Sequence, residues 1–431
     1  MLSYNTLKKL YQNSGILIQS IYSLIPKRIK YGKTYFYWRK NYKQNLNRNP
    51  FKTYLQYQDH PFYAKKYQNI DIKGFNDIPL LSKHEIQNNL NLFKLKNTDY
   101  FVTTGGVTGN PGKFYQSKNV WLKEMAFVHS LMKERGYDGG KIALLKGGDQ
   151  SRWKTKVYYY EPRNKAYMLS PFHLNKTNVQ DYLAVLKEKK IKFLHAHPSA
   201  ILHLQTLLEQ SSLNYFGLRY ILLTSEGFSA SQIKNLKEFF KCEIISFYGH
   251  SERGVFAESI NNLEGYRIND NYGYVELIDN NNEIIQKEGI IGEIVVTTYD
   301  NECMPLIRYR TGDYTKYISF KRKEIGLIQG KWNNQVLIGK NLEQISFTAL
   351  NIHDSRLDNI SIIQFIQRNP GDVKVRYSLK TRIDCIEKEE EKIDLFFKQI
   401  SNNVIKFSPE KSFDFLKTTS GKTPLLVKEM K

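Results

Sequence analysis

The chain has 431 residues, 41% of them hydrophobic and 25% charged, with 30 Tyr and 24 Phe. That composition describes a folded globular protein with room for two domains, and it excludes a disordered or collagen-like chain. The formal charge of +22 invites a nucleic-acid partner. However, no compact recognition motif accompanies the charge, and Lys, Asn, Ile and Tyr are abundant along the whole length, so nucleic acid is not expected.

The basic excess is sharpest at the front, where eleven Lys and Arg between Lys8 and Lys52 face one acid, Asp59. Among them lies "GILIQSIYSLIP", Gly15 to Pro26. It is too short and too polar to span a bilayer, and it lacks the cleavage pattern of a signal peptide. Two readings stay open for residues 1–60: a helix docked on the main domain, or a basic amphipathic segment lying on an anionic membrane surface. The three cysteines, Cys242, Cys303 and Cys385, are scattered and make neither a disulfide framework nor a zinc pattern. The expected location is therefore the cytoplasm, with a peripheral place at the inner face of the membrane as the second reading.

"TTGGVTGNPGKFY" follows, from Thr103 to Tyr115. Its glycines free backbone N–H groups and its threonines add hydroxyls, a pattern suited to phosphate oxygens. It is not a Walker loop, because Val107 stands where the first glycine belongs and Phe114 follows Lys113. "SGKT" near the C-terminus fails the same test, with Leu416 at the glycine position.

From Tyr182 onward the pattern alternates. "VQDYLAVLKEKK", "AILHLQTLLEQ" and "ASQIKNLKEFFK" have helical spacing, while "IKFLHAHP", "LRYILLTSEG" and "CEIISFYGHSE" read as buried strands running into loops. This predicts an α/β sheet with ligand-binding loops at its strand ends. The three histidines of "HAHPSAILH" tempt a metal reading, but no acid or cysteine nearby completes a set. Between Tyr266 and Ile318, "GYVELIDNNNEIIQKEGIIGEIVVTTY" reads as β hairpins broken by Asn and Gly. A domain boundary is expected near 330–334, dividing a large domain, 1–330, from a small one, 331–431, with its own strands and the helix "EKEEEKIDLFFKQI".

In this order, "HPFYAKKY", "IPLLSKHEIQ", the Thr103–Tyr115 loop, "YGHSERGVFAES", "MPLIRYRTGD", "GKWNNQVLIGKN" and "TTSGKTPLLVKE" resemble the adenylate-forming superfamily. The nearest branch is the phenylacetate–coenzyme A ligase-like, CapK-type proteins of capsular polysaccharide biosynthesis. The resemblance implies a large multi-sheet α/β domain and a small mobile α+β domain. It also implies ATP-dependent activation of a carboxylic acid as an acyl-adenylate, with release of pyrophosphate. The cofactors implied are ATP and Mg²⁺, and the acceptor is coenzyme A, an amine or a sugar nucleotide.

Residue by residue, the resemblance gives the triphosphate to Thr103, Thr104, Gly106, Thr108 and Gly109. Gly105 and Val107 depart from the family loop, which carries hydroxyl residues there; a relative that kept the fold without the chemistry is the competing reading. Tyr248 would stack on adenine, with Gly249, His250 and Ser251 beside it, and Glu252 would help position Mg²⁺; the plainer readings are core packing for Tyr248 and a salt bridge to Arg253 or another base for Glu252. Ser225, Glu226 and Gly227 of "TSEG" would line the adenine pocket. His197 and Pro198, with Tyr248 and Gly249, would border the acid. Asp313 would accept both ribose hydroxyls, a task suited to a carboxylate's paired acceptors. Lys331 stands where the family has arginine, Asn333 or Asn334 would be the hinge, and Lys422 would be the catalytic lysine.

Overall fold

The computed structural model describes residues 21, 24–93, 100–103, 112–137, 139–146, 156–260, 263–328, 336–346, 350, 355–357, 359–380, 385–401, 403–418, 421 and 423–429. The chain divides into two compact units: residues 1–138, 162–164 and 247–328 form the first, and residues 139–161, 165–246 and 329–431 the second. The fold is mixed α/β. No helix among the described residues is long and apolar enough to cross a membrane.

In the first unit, the helix Lys27–Asn41 packs along the helix Lys118–Glu134. Tyr31, Tyr35, Trp38 and Tyr42 recur at helical spacing and meet Leu122, Ala126, Phe127 and Leu131 in one apolar cluster. Helix Lys27–Asn41 is thus docked, while most of the Gly15–Pro26 segment, for which the two readings are open, lies outside the described residues. A short antiparallel hairpin pairs Tyr100–Thr103 with Lys113–Gln116, so the two ends of the glycine–threonine loop leave from paired strands. The expected hairpins between Tyr266 and Ile318 are present. Gly273–Ile278 pairs with Ile291–Thr298, which pairs with Tyr309–Ser319; Glu324–Gly326, Gly265–Ile268 and Phe256–Ser259 continue the antiparallel series.

The second unit holds the parallel layer. Tyr220–Leu223, Phe193–Ala196, Ile142–Leu145 and Ala166–Leu169 lie side by side in parallel, with Tyr158–Glu161 antiparallel at the edge. Their alternation with helices Val179–Glu188, Pro198–Gln210 and Ala230–Phe240 is the crossover pattern that parallel strands require. Pro198 sits at the first helical position, where its missing N–H costs nothing. Ser229 and Gln232 close a capping box on the next helix. The same unit contains a four-stranded sheet in the order Lys406–Lys411, Asp372–Leu379, Ile360–Asn369, Leu426–Lys428. Helix Ile386–Ile400 covers this sheet through Ile393, Phe396 and Phe397.

Candidate active site

Strand Glu243–Gly249 ends on "FYG", and a turn carries His250, Ser251, Glu252 and Arg253 away from it. Tyr248 donates its hydroxyl to Asp313 Oδ2 at 2.8 Å. Two residues separated by 65 positions are therefore joined directly. Burial and the neighbouring Asp313 and Glu252 carboxylates push the Tyr248 hydroxyl well above its ordinary pKa, so it stays a donor.

Glu252 is 4% exposed, and one of its oxygens accepts a hydrogen bond from Tyr309 at 3.2 Å. Its other oxygen lies 3.1 Å from His250 Nδ1, without hydrogen-bond alignment. Arg253 is not its partner. A left-handed backbone at Arg253 (φ +59°) turns that side chain away to pair with Glu124, which also accepts from the Tyr272 hydroxyl.

Behind this turn stands a residue that sequence reasoning missed. Gln116, fully buried at the end of the loop-bearing hairpin, donates to Ser251 O at 2.5 Å and accepts from the Tyr100 hydroxyl at 2.9 Å. One carboxamide thereby ties the hairpin that carries residues 104–111 to the turn that carries Glu252. No spacing rule announces a contact across 135 positions.

Asp313 is placed by the arginines of "RYRTGD". Arg308 makes a two-pronged pair with Glu276, at 2.8 and 3.4 Å, and donates to the carbonyls of Asn76 and Ile78. Arg310 holds Glu293 at 2.5 and 2.8 Å, and the same carboxylate accepts from Gly312 N at 3.0 Å. Gly312 takes a left-handed φ of +74°, and the Asp313 amide donates to Thr311 Oγ1 at 3.1 Å. Arg308 and Glu276 are both buried. Arg308→Ala strands a carboxylate in the core and is expected to cost about 3–5 kcal/mol, read as a lower denaturation midpoint. A loss below about 1 kcal/mol, the range of surface pairs, would contradict this anchoring role.

The second unit presents its own strand-end groups. Thr224 follows strand Tyr220–Leu223, and Ser225 takes φ +74°, a left-handed turn that sends Glu226 back toward helix Pro198–Gln210. There Glu226 accepts from Ser199 N at 2.8 Å and Ser199 Oγ at 3.1 Å, a carboxylate capping a helix N-terminus. His197 Nδ1 lies 3.3 Å from Thr224 O, and Pro198 is buried beside it. Gly227 lies in the loop that leads to the Ser229 cap.

His195, on the neighbouring strand, contacts Thr224 Oγ1 at 2.8 Å and Lys146 Nζ at 3.1 Å. Burial first, then the Lys146 charge, push its pKa well below the ordinary histidine value, so His195 is neutral. His203 faces Phe415 instead, and burial with the nearby Lys417 charge lowers its pKa to about 3. His203 is therefore apart from His195 and His197, which both meet Thr224. Among the described residues no cluster of three His, Cys, Asp or Glu side chains could hold a metal ion.

Thr103 closes its strand, and its side chain lies outside the described residues. So do Thr104, Gly105, Gly106, Val107, Thr108, Gly109, Lys331, Asn333, Asn334 and Lys422. The flanks of Lys422 are described. Gly421 N donates to Thr418 O at 2.8 Å, and Thr423 N donates to Ser199 Oγ at 3.2 Å.

No protein-family model matches the chain. Over 428 aligned residues, covering 87% of this chain and 93% of the relative, it is 24% identical to protein CapK of Staphylococcus aureus. Over 315 residues, 70% of each chain, it is 24% identical to a phenylacetate–coenzyme A ligase of Pseudomonas putida. Among solved structures, 2-hydroxyisobutyryl-CoA ligase in its postadenylation state matches with a TM-score of 0.62 and 15% identity, over 88% of both chains. The chain is thus similar to CapK and to the phenylacetate–coenzyme A ligases, and it shares the mixed α/β fold of 2-hydroxyisobutyryl-CoA ligase.

Proposed function

We propose that the protein activates a carboxylic acid with ATP and passes the acyl group to an acceptor thiol. The observation that carries this reading is the Tyr248–Asp313 pair, set one turn from Glu252 and bolted to the glycine–threonine hairpin through Gln116. It sets an aromatic ring beside a carboxylate in a chain that is similar to CoA ligases, which supports this reading.

In the first half-reaction a carboxylate oxygen of the acid attacks the α-phosphorus. The bond to the β-phosphate bridge breaks, and pyrophosphate leaves with its electron pair. Negative charge builds on the α-phosphate and on the leaving group, so the site has to supply donors and cations already in place. The Thr103–Gly109 segment supplies N–H and hydroxyl donors, Asp313 holds the ribose, and the Tyr248 ring covers adenine. Lys422 brings a cation to the acid and the α-phosphate.

A single buried carboxylate, Glu252, suits Mg²⁺, which keeps several waters and binds through one or two carboxylates plus substrate phosphates. When bound, that ion neutralises charge on the triphosphate. In the second half-reaction the thiolate of coenzyme A attacks the acyl carbon and AMP leaves. The CapK relative supports a place in capsule or surface polysaccharide synthesis. The last hundred residues act as the small domain that carries Lys422.

Hydroxylamine trapping over a panel of aromatic, hydroxy, amino and uronic acids tests this reading. One acid is expected to give a hydroxamate together with stoichiometric pyrophosphate. A panel without any product, from protein that still binds MgATP, would favour a relative that kept the fold and lost the chemistry. The substitutions Gly105 and Val107 in the phosphate loop are the feature consistent with that outcome.

A further inference from the structure

Helix Lys27–Asn41 leaves large side chains exposed away from its docked face. Ile29 is 75% exposed, Tyr37 53% and Phe36 42%, and Leu24, just before the helix, is 80% exposed. Arg28, Lys33 and Lys40 are exposed among them. Lys33, Phe36, Tyr37 and Lys40 follow the three- and four-residue spacing of one helix face, opposite to Tyr31, Tyr35 and Trp38 in the core. Soluble surfaces usually scatter large apolar side chains singly; here Phe36 and Tyr37 sit together between Lys33 and Lys40, with Leu24 and Ile29 exposed before the Gly32 kink.

We propose that this outer face of helix Lys27–Asn41 is a docking surface for an anionic lipid bilayer. The apolar rings and Ile29 reach the acyl boundary, and the Lys and Arg heads stay level with the lipid phosphates. Charge complementarity selects this occupant. A second copy of the chain would bring one basic face against another in a protein of net charge +22. A nucleic acid would satisfy the cations but leave Ile29 and Leu24 without an apolar partner. Tyr35 anchors the helix from below through His129 Nδ1 at 2.8 Å, and the kink at Gly32 (φ +66°) separates the turn bearing Ile29 from the turns bearing Phe36. The face is therefore part of the folded unit, not a free tail. The proposal is independent of the acid-activating chemistry.

The test is flotation of the full chain with phosphatidylglycerol–phosphatidylcholine vesicles and with phosphatidylcholine vesicles alone, at about 0.15 M salt, where long-range attraction is screened within roughly 8 Å. Two double variants accompany it: Ile29→Ser with Phe36→Ser, and Lys33→Glu with Lys40→Glu. All four positions are exposed, so thermal unfolding should match wild type. Wild type is expected to float with the anionic vesicles only, and each double variant to bind them about tenfold more weakly.

Failure of wild type to float would overturn the proposal, as would full binding by both variants. Full binding by the serine variant alone would show a purely electrostatic surface and would also overturn it. A serine variant that loses self-association, with no vesicle binding by wild type, would assign the face to a second copy. Tighter binding of wild type to single-stranded nucleic acid than to the vesicles would assign it to that partner.

Discussion

Lys422→Ala is expected to lower adenylate formation by roughly a hundred- to a thousandfold while leaving ATP affinity and thermal stability near wild type. A preorganised charge aimed at a developing oxyanion typically contributes on that scale. The residue stands in Ser-Gly-Lys-Thr-Pro, and the chain on either side of it is pinned. Gly421 takes a left-handed φ of +78°, Thr423 N is held by Ser199, and Gln364 donates to Pro424 O at 3.1 Å. Strand Leu426–Lys428 then pairs in parallel with Ile360–Asn369. Flanks held in this way suit the delivery of an ammonium group to a defined point. Single-turnover adenylation and nucleotide titration of the purified variant separate chemistry from binding. Adenylation retained within about threefold would remove Lys422 from the mechanism.

Asp313→Ala is expected to weaken ATP binding by tenfold or more, and Tyr248→Ala to weaken it less. Hydrogen bonds to a charged acceptor contribute about 1.5–3 kcal/mol each, and 1.4 kcal/mol is a factor of ten. A carboxylate offers about four acceptor positions, so the Tyr248 hydroxyl and two ribose hydroxyls fit on Asp313 together. The aspartate variant also takes away the acceptor that Tyr248 uses at 2.8 Å. Tyr248→Phe isolates that contribution: it keeps the ring and removes only the hydroxyl, and its effect should be the smallest of the three. Equal ATP affinity in wild type and the Asp313 variant, by calorimetry, would defeat the ribose assignment.

Local periodicity made much of the fold legible. "VQDYLAVLKEKK", "AILHLQTLLEQ" and "ASQIKNLKEFFK" match helices Val179–Glu188, Pro198–Gln210 and Ala230–Phe240, because their apolar faces recur every three or four residues. The strand before "HAHP" and the hairpin texture after Tyr266 were equally readable.

Partners distant in sequence were not. Glu252 has Arg253 as its sequence neighbour, yet the turn at Arg253 sends that cation to Glu124, and Tyr309 takes the carboxylate instead. Gln116 carries no motif, and its role as a tie emerges only when two strands meet. Glu226, read from "TSEG" as lining the adenine pocket, has both oxygens engaged by Ser199. Such pairings depend on topology, which a period of 2 or 3.6 does not encode.

The central claim, acid-dependent attack on the α-phosphate of ATP, is tested most directly by exchange of labelled pyrophosphate into ATP. With MgATP, labelled pyrophosphate and the acid that yields a hydroxamate, the wild-type protein is expected to incorporate label into ATP. Incorporation should fall to background when the acid is omitted, and should need no coenzyme A. Label that enters ATP equally without any acid, or that enters only when coenzyme A is present, would contradict a reversible acyl-adenylate step.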